Sequence, residues 1–214
     1  MNKNIEKCNS NKTKVNFLPE KENEISEFLE KIKIFGKIEI DEIDSSNLNF
    51  RFKEGKNYNL SKNNLIATKN SGGDSWNCTI VGNKEIPKNK ISKWKIRINN
   101  FVIKGNTWNV LIGIGPDNPN NEERFYNKCW SFICGESRLR IKSEYEKKYN
   151  NRQPKPLNKG DIIKVTVDRI LGNLSFAINE EDYGIAFSKV PKEDILYPIV
   201  MINDQNQIVE IIQS

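Results

Sequence analysis

The 214-residue chain contains no histidine, so its four cysteines are the side chains best suited to nucleophilic catalysis or to zinc binding. Without an imidazole, neither a Ser/His/Asp triad nor a Cys/His pair can form. Cys8, Cys78, Cys129 and Cys134 make no C-x-x-C pair, and a structural zinc ion would have to use all four at irregular spacing. We therefore expect no metal and no cofactor, and we predict free, mostly buried thiols in a reducing compartment.

Carboxylates are the other groups that could do acid–base chemistry, and they cluster at 122–123 and 180–182. Both clusters fall in predicted turns, where adjacent acids are usually solvated rather than paired across a substrate. The stretch GIGPDNPNN at 113–121 leads from a predicted strand into a proline-rich loop, whereas a phosphate-binding loop opens a helix. The sequence therefore predicts a protein that is not an enzyme.

The balance of charge is basic, with 34 Lys and Arg against 28 Asp and Glu, a net charge of +6 and a pI near 9.0. Lysine supplies 27 of these 34 cations and arginine only 7. Because proteins that read nucleic acid favour arginine for its bidentate contacts, we interpret the excess as a solvated surface. Nucleic-acid binding through basic loops at 138–164 is kept as a less favoured alternative.

Nothing in the sequence points to a membrane. No run of about 18 apolar residues is present, so no transmembrane helix is predicted. The N-terminal stretch MNKNIEKCNSNKTK is charged but lacks the apolar segment of a signal peptide. We therefore expect a cytoplasmic protein with no membrane partner.

The chain divides into three parts by pattern. Residues 1–16 are polar and repetitive, which predicts a disordered tail. In residues 17–44, Ile25, Phe28, Leu29 and Ile32 recur at the spacing of one helical face. This helix is too short to be stable alone, so we expect it to pack on the following domain or, alternatively, on a partner chain.

From about Ile38 onward the hydrophobic pattern has a period of two, with turn residues between short segments, which favours an antiparallel sandwich or barrel. Two long loops are predicted at 116–128 and 142–159, the second with one possible helical turn. The predicted strands are 48–52, 65–68, 76–81, 93–101, 108–114, 129–135, 161–168, 173–179, 183–187, 197–202 and 207–212.

The order of these segments resembles a known family. The stretch GDIIKVTVDRILGNLSFAINEEDYGIAF, followed by LYPIVMI, is similar to the centre of the SPRY domain, and KWKIRI, VLIGIG and CWSFICG resemble its preceding strands. The resemblance covers residues 45–214 and implies an all-β, lectin-like jelly-roll sandwich. It implies core positions at Leu174, Phe176, Phe187 and Tyr197. Gly172, Gly184 and the turn residues would be structural as well.

The resemblance further implies a protein-interaction module, which could serve as an adaptor or a substrate receptor. Members of the family hold their ligands on loops between strands, so we expect a protein or peptide partner and favour a monomer. Tyr126 is the strongest candidate, since an exposed tyrosine offers a large contact area at low entropic cost. The candidate binding residues are Lys84, Glu85, Asn106, Tyr126, Asn203 and Asp204.

The four tryptophans, Trp76, Trp94, Trp108 and Trp130, fit the strand pattern, and we expect them in the core. Trp76 follows the loop NSGGDS and is the one that could be partly exposed. Because the sandwich resembles lectin-like folds, binding of a glycan or another small ligand is the second hypothesis for function.

Overall fold

The computed structural model describes residues 45–100, 109–118, 120, 122, 124–141 and 147–213, which form an antiparallel β-sandwich. The disordered tail and the docked helix predicted for residues 1–44 lie outside the described residues. Short 3-10 helices at Phe125–Lys128 and Cys134–Glu136 flank the strand Trp130–Ile133. The strands are β1 (Ser45–Asn47), β2 (Tyr58–Ser61), β3 (Ile66–Lys69), β4 (Cys78–Val81), β5 (Ile91–Asn100), β6 (Val110–Gly115), β7 (Trp130–Ile133), β8 (Arg138–Ile141), β9 (Lys147–Lys148), β10 (Ile162–Asp168), β11 (Asn173–Ile178), β12 (Glu181–Phe187), β13 (Tyr197–Ile202) and β14 (Ile208–Ile212).

Sheet A is built around β5, and its strand order is β12-β11-β10-β5-β14-β3-β2. β5 lies antiparallel to β10 on one side and to β14 on the other, and β1 pairs with its first three residues in parallel. Trp94, Ile96 and Ile98 of β5 are buried, whereas the residues between them are partly exposed. The alternation predicted from the sequence is therefore confirmed at the centre of the sheet.

Sheet B has the order β4-β13-β6-β7-β8-β9 and is antiparallel throughout. Its strands β4, β6, β7 and β13 are buried on both faces. One face packs on sheet A and forms the main core. A second apolar cluster covers the outer face. Val81, Leu111, Ile133, Ile199 and Met201 alternate along the strands with residues of the main core, and Phe125 and Cys129 from the segment before β7 pack against them.

The family-like residues have the structural roles that the sequence predicts, with one exception. Leu174, Phe176 and Phe187 are buried in the main core. Tyr197 is not: it packs against the outer cluster and stays partly exposed, with the Lys53 ammonium 4.4 Å from its ring centre. The prediction of Tyr197 as a core residue is wrong because its side chain points to the outer face of sheet B.

The turns between β10, β11 and β12 follow from their polar residues. The Asp168 carboxylate accepts hydrogen bonds from the backbone N–H groups of Ile170 and Leu171, each at 2.8 Å, and Gly172 ends the turn at φ 78°. Asn179 and Glu180 alone join β11 to β12, both with positive φ, as a type I′ hairpin requires. The second strand therefore begins two residues earlier than the predicted start at residue 183.

Several predicted boundaries differ from the structure. Phe50 and Phe52 are buried as the alternation predicts, but 48–52 is not a strand and makes only a bridge from Phe52 to Gly82. Strands β1, β2, β8 and β9 were not predicted. The predicted loops at 142–159 and 138–164 are wrong where β8, β9 and β10 lie. Among the described residues, no helix is long and apolar enough to span a membrane.

Candidate functional site

The candidate site is a depression on the outer face of sheet B, at the end where β4 begins and β13 ends. Three chain segments meet there: the loop before β4, the 3-10 helix before β7 and the turn after β13. Its volume is about 310 Å³. We call it the aromatic pocket, and its lining residues are Asp74, Ser75, Trp76, Arg124, Tyr126 and Asn203.

The 3-10 helix is fixed to the sheet by its first residue. Phe125 is 2% exposed and packs into the outer apolar cluster. Arg124, just before the helix, has a left-handed backbone at φ 52°, which turns the chain so that Tyr126 lies on the surface side. The backbone N–H of Arg124 donates to the carbonyl of Trp76 at 3.4 Å, so the helix and the loop before β4 are joined.

Trp76 and Tyr126 form the apolar wall of the pocket. Their rings meet edge to face with centroids 6.0 Å apart, and both side chains are partly exposed. The Arg140 guanidinium lies 4.2 Å from the centre of the Tyr126 ring and donates to the Asn127 side-chain oxygen at 3.0 Å. A cation over an aromatic face is attracted by the ring quadrupole, so Arg140 restricts Tyr126 to this orientation.

The polar wall is formed by two loops that hydrogen-bond to each other. The backbone N–H of Ser75 donates to the Asn203 carbonyl, and the backbone N–H of Gln205 donates to an Asp74 carboxylate oxygen, each at 3.0 Å. Gly72 has φ 81°, and a Cβ atom there would lie 2.6 Å from the Asn77 side-chain nitrogen. The loop before β4 therefore needs glycine at this position for both its backbone angle and its packing.

The thiols near the site are too deeply buried to act as nucleophiles. Cys129 lies beneath the 3-10 helix and Cys78 opens β4, and both are fully buried. Desolvation raises the pKa of Cys78 to about 12 and also raises the pKa of Cys129 and Cys134. Because the thiolate is the nucleophile, these cysteines are structural. Among the described residues, no group of three His, Cys, Asp or Glu side chains could hold a metal ion.

The structure brings some of the predicted site residues together and separates others. Tyr126 and Asn203 line the aromatic pocket, whereas Asp204 is buried beside it at 7% exposure. Lys84 and Glu85 are exposed, but they follow the far end of β4, since Gly82 bonds Pro198 at the opposite end of β13. Asn106 lies outside the described residues.

Sequence reasoning missed Asp74, Ser75, Trp76 and Arg124 as site residues. The signal for the first three was present, because Trp76 follows the glycine-containing loop NSGGDS. We expected Trp76 in the core or, alone among the tryptophans, partly exposed, and it is partly exposed. No local pattern marks Arg124, whose place at the pocket depends on long-range packing of Phe125.

Loops that converge at one end of a rigid β-sandwich are a common place for binding residues in proteins. The sequence profile of the SPRY domain matches residues 92–214. This match covers more than half of the chain, and the protein therefore belongs to the SPRY-domain family. SPRY domains are generally non-catalytic modules for protein–protein interaction.

Solved structures support the same fold. The SPRY domain of human HERC1 is 22% identical, with a TM-score of 0.57 over 76% of this chain and 96% of that one. The TRIM65 PSpry domain is 12% identical, with a TM-score of 0.57 over 79% and 94%. The Drosophila melanogaster neuralized-NHR1 domain is 12% identical, with a TM-score of 0.53 over 78% and 99%. No curated protein sequence matches the chain.

Proposed function

We propose that this SPRY domain binds a protein or peptide partner through the aromatic pocket and acts as a cytoplasmic adaptor or substrate receptor. The observation that carries the proposal is the partly exposed Trp76–Tyr126 pair at the junction of three loops. Such a pair offers apolar area for burial next to hydrogen-bonding groups on Asp74 and Asn203. Tryptophan, tyrosine and arginine are also the residues most enriched in the energetic centres of protein interfaces.

The pocket is suited to a peptide segment. Its volume of about 310 Å³ is at the lower end of the range for ligand pockets, so it matches one or two side chains better than a whole cofactor. Its walls are held by hydrogen bonds between the loops and by the ring contact of Arg140. A pocket that is already ordered loses less entropy when a partner binds.

The test is an affinity capture from cell extract with wild-type protein and single variants. We expect Trp76→Ala and Tyr126→Ala each to weaken capture of a specific protein by about thirtyfold, the effect of losing roughly 2 kcal/mol at a binding hot spot. The matched control is Tyr197→Ala. Tyr197 is also a partly exposed aromatic residue of the outer cluster with a cation near its ring, but it does not line the pocket.

Capture that is unchanged in both pocket variants, or lost equally in the Tyr197→Ala control, would contradict the proposal. Lys84→Ala with Glu85→Ala tests the other predicted binding residues at the far end of β4. Loss of capture in that double variant alone would move the binding surface to the opposite end of sheet B. Asn106→Ala and Asp204→Ala complete the set of predicted residues.

A further inference from the structure

A fully buried lysine lies beneath the aromatic pocket. Lys69 is the last residue of β3 and has 0% of its surface exposed. Its ammonium donates to the carbonyl oxygens of Ser75 at 2.6 Å and Asn203 at 2.5 Å, and lies 3.4 Å from that of Ile202. Lysine is almost never fully buried unless its charge is matched, so these contacts require an explanation.

The carbonyls that surround the ammonium belong to the two loops that form the polar wall. Ser75 lies in the loop before β4, and Ile202 and Asn203 lie at the end of β13. Their oxygens converge on one point, where the negative ends of the carbonyl dipoles repel each other unless a cation lies between them. A bond to an ionised donor is also roughly twice as strong as one between neutral groups. The ammonium therefore adds a further attraction to the direct hydrogen bonds between the two loops.

Burial and charged neighbours act on the pKa of Lys69 in opposite directions. Burial is the main influence and lowers the pKa of Lys69, whereas the carboxylates of Asp74 and Asp204 raise it and so favour the charged ammonium. Both carboxylates belong to the two loops that the ammonium joins. The backbone of Lys69 adds two more links, since its N–H donates to the Gln207 carbonyl and its carbonyl accepts from Asn206 N–H.

We propose that Lys69 is the positioning residue of the aromatic pocket: its buried ammonium fixes the loop before β4 against the turn after β13, and partner binding depends on it although it does not line the pocket. The dependence of partner binding on Lys69 rests on the proposed function of the pocket. Its structural part, that one side chain holds both loops, is independent of any partner.

The first experiment is native-state amide hydrogen exchange by NMR on Lys69→Met, which keeps an unbranched apolar side chain of similar length and removes the donor. We expect the amides of Ser75 and Gln205 to exchange about tenfold faster or more, which corresponds to a loss of about 1.4 kcal/mol in local opening free energy. Ile96 and Val165, in the core strands, should keep their wild-type exchange rates. Lys164→Met is the control, because it removes a partly exposed lysine and the same charge.

A second readout follows the pocket itself. With 5-fluorotryptophan incorporated, the 19F resonance of Trp76, assigned from Trp76→Phe, should shift or broaden in Lys69→Met, whereas that of buried Trp94 should not change. If Lys69→Met does not fold, Lys69→Gln is used instead, because it keeps a short neutral donor but no charge. Exchange rates and a Trp76 resonance that match wild type in a folded Lys69 variant overturn the proposal.

Capture then separates this inference from the proposed function. If Lys69→Met loosens both loops and weakens capture as Trp76→Ala does, the positioning role is supported. If it loosens the loops but keeps capture that Trp76→Ala abolishes, Lys69 is not a positioning residue for binding and the inference is overturned. If Trp76→Ala and Tyr126→Ala keep capture as well, the proposed function fails. The dependence of partner binding on Lys69 fails with it, while the link that Lys69 makes between the loops still stands.

Discussion

Two groups of aromatic residues in this domain share the same chemistry and differ in burial. The inner aromatic cluster consists of Phe132, Tyr149, Phe176 and Tyr183, lies between the sheets, and has ring centroids 5.2 to 6.2 Å apart. The surface pair of Trp76 and Tyr126 has nearly the same spacing, at 6.0 Å. Each group carries an arginine at a ring face: Arg152 lies 3.9 Å from Tyr183, and Arg140 lies 4.2 Å from Tyr126.

The inner cluster has polar atoms that are hydrogen-bonded within the chain, whereas the surface pair keeps part of its rings exposed to solvent. The Tyr149 hydroxyl donates to the Gly184 carbonyl and accepts from the Phe176 backbone N–H at 3.1 Å. Arg152 bonds the Glu181 carboxylate and the Asp182 carbonyl. The rings of the surface pair, in contrast, remain partly exposed. Similar ring geometry therefore stabilises the fold in one place and leaves apolar area for a partner in the other.

The comparison predicts the largest effect for Phe132→Ala. Phe132 is fully buried and touches the rings of Tyr149, Phe176 and Tyr183. Its truncation leaves a cavity between the sheets and should lower the free energy of unfolding by about 3–5 kcal/mol. Urea unfolding measures this, with Tyr126→Ala as the surface comparator. A loss below 1 kcal/mol, or one equal to that of Tyr126→Ala, would remove the distinction between the two groups.

Much of the inner cluster was predictable from the sequence, and the surface pair was not. Phe132 and Phe176 lie in predicted strands, and the resemblance to the SPRY domain implies a core position for Phe176. Tyr149 lies in a segment that predicts only a loop, and its burial depends on contacts with β11 and β12 that are distant in sequence. Tyr126 was predicted as a surface residue, but its partner Trp76 is 50 positions away, and no local rule brings them together.

The next effect concerns hydroxyl groups, with the two tyrosines as a matched pair. Tyr149→Phe leaves the Phe176 backbone N–H without its acceptor inside the core, and should lower the free energy of unfolding by about 1–3 kcal/mol. Tyr126→Phe removes a hydroxyl from a partly exposed ring and should lower the free energy of unfolding by less than about 0.5 kcal/mol. Both are measured by urea unfolding at pH 7. Equal costs for the two variants would contradict the assignment of Tyr149 as the satisfied, structural tyrosine.

A smaller change in stability is expected for the surface pair itself. Trp76→Ala and Tyr126→Ala each remove an edge-to-face contact worth about 0.5–1.5 kcal/mol and some partly buried area, so each variant should stay folded at 25 °C. Differential scanning calorimetry checks this beside the capture experiment. A variant that unfolds before it can be tested would assign the pair to the fold and not to recognition.

The smallest effect is predicted for the thiols beneath the two aromatic groups. Cys134 lies in the main core with the inner cluster, and Cys129 lies under the 3-10 helix that carries Tyr126. Burial raises the pKa of both thiols, so the fraction of reactive thiolate at pH 8 is negligible. In a Cys8→Ser variant, which removes the cysteine outside the described residues, Ellman's reagent should find no rapidly reacting thiol in the native protein and three after unfolding in guanidinium.

If Cys129 reacts rapidly while Cys134 does not, the 3-10 helix opens in the native state, and the aromatic pocket is formed by a mobile lid. If both remain unreactive, the residues beneath the aromatic pocket are as inaccessible to solvent as the main core. The two regions then differ in the exposure of their rings and not in the packing beneath them.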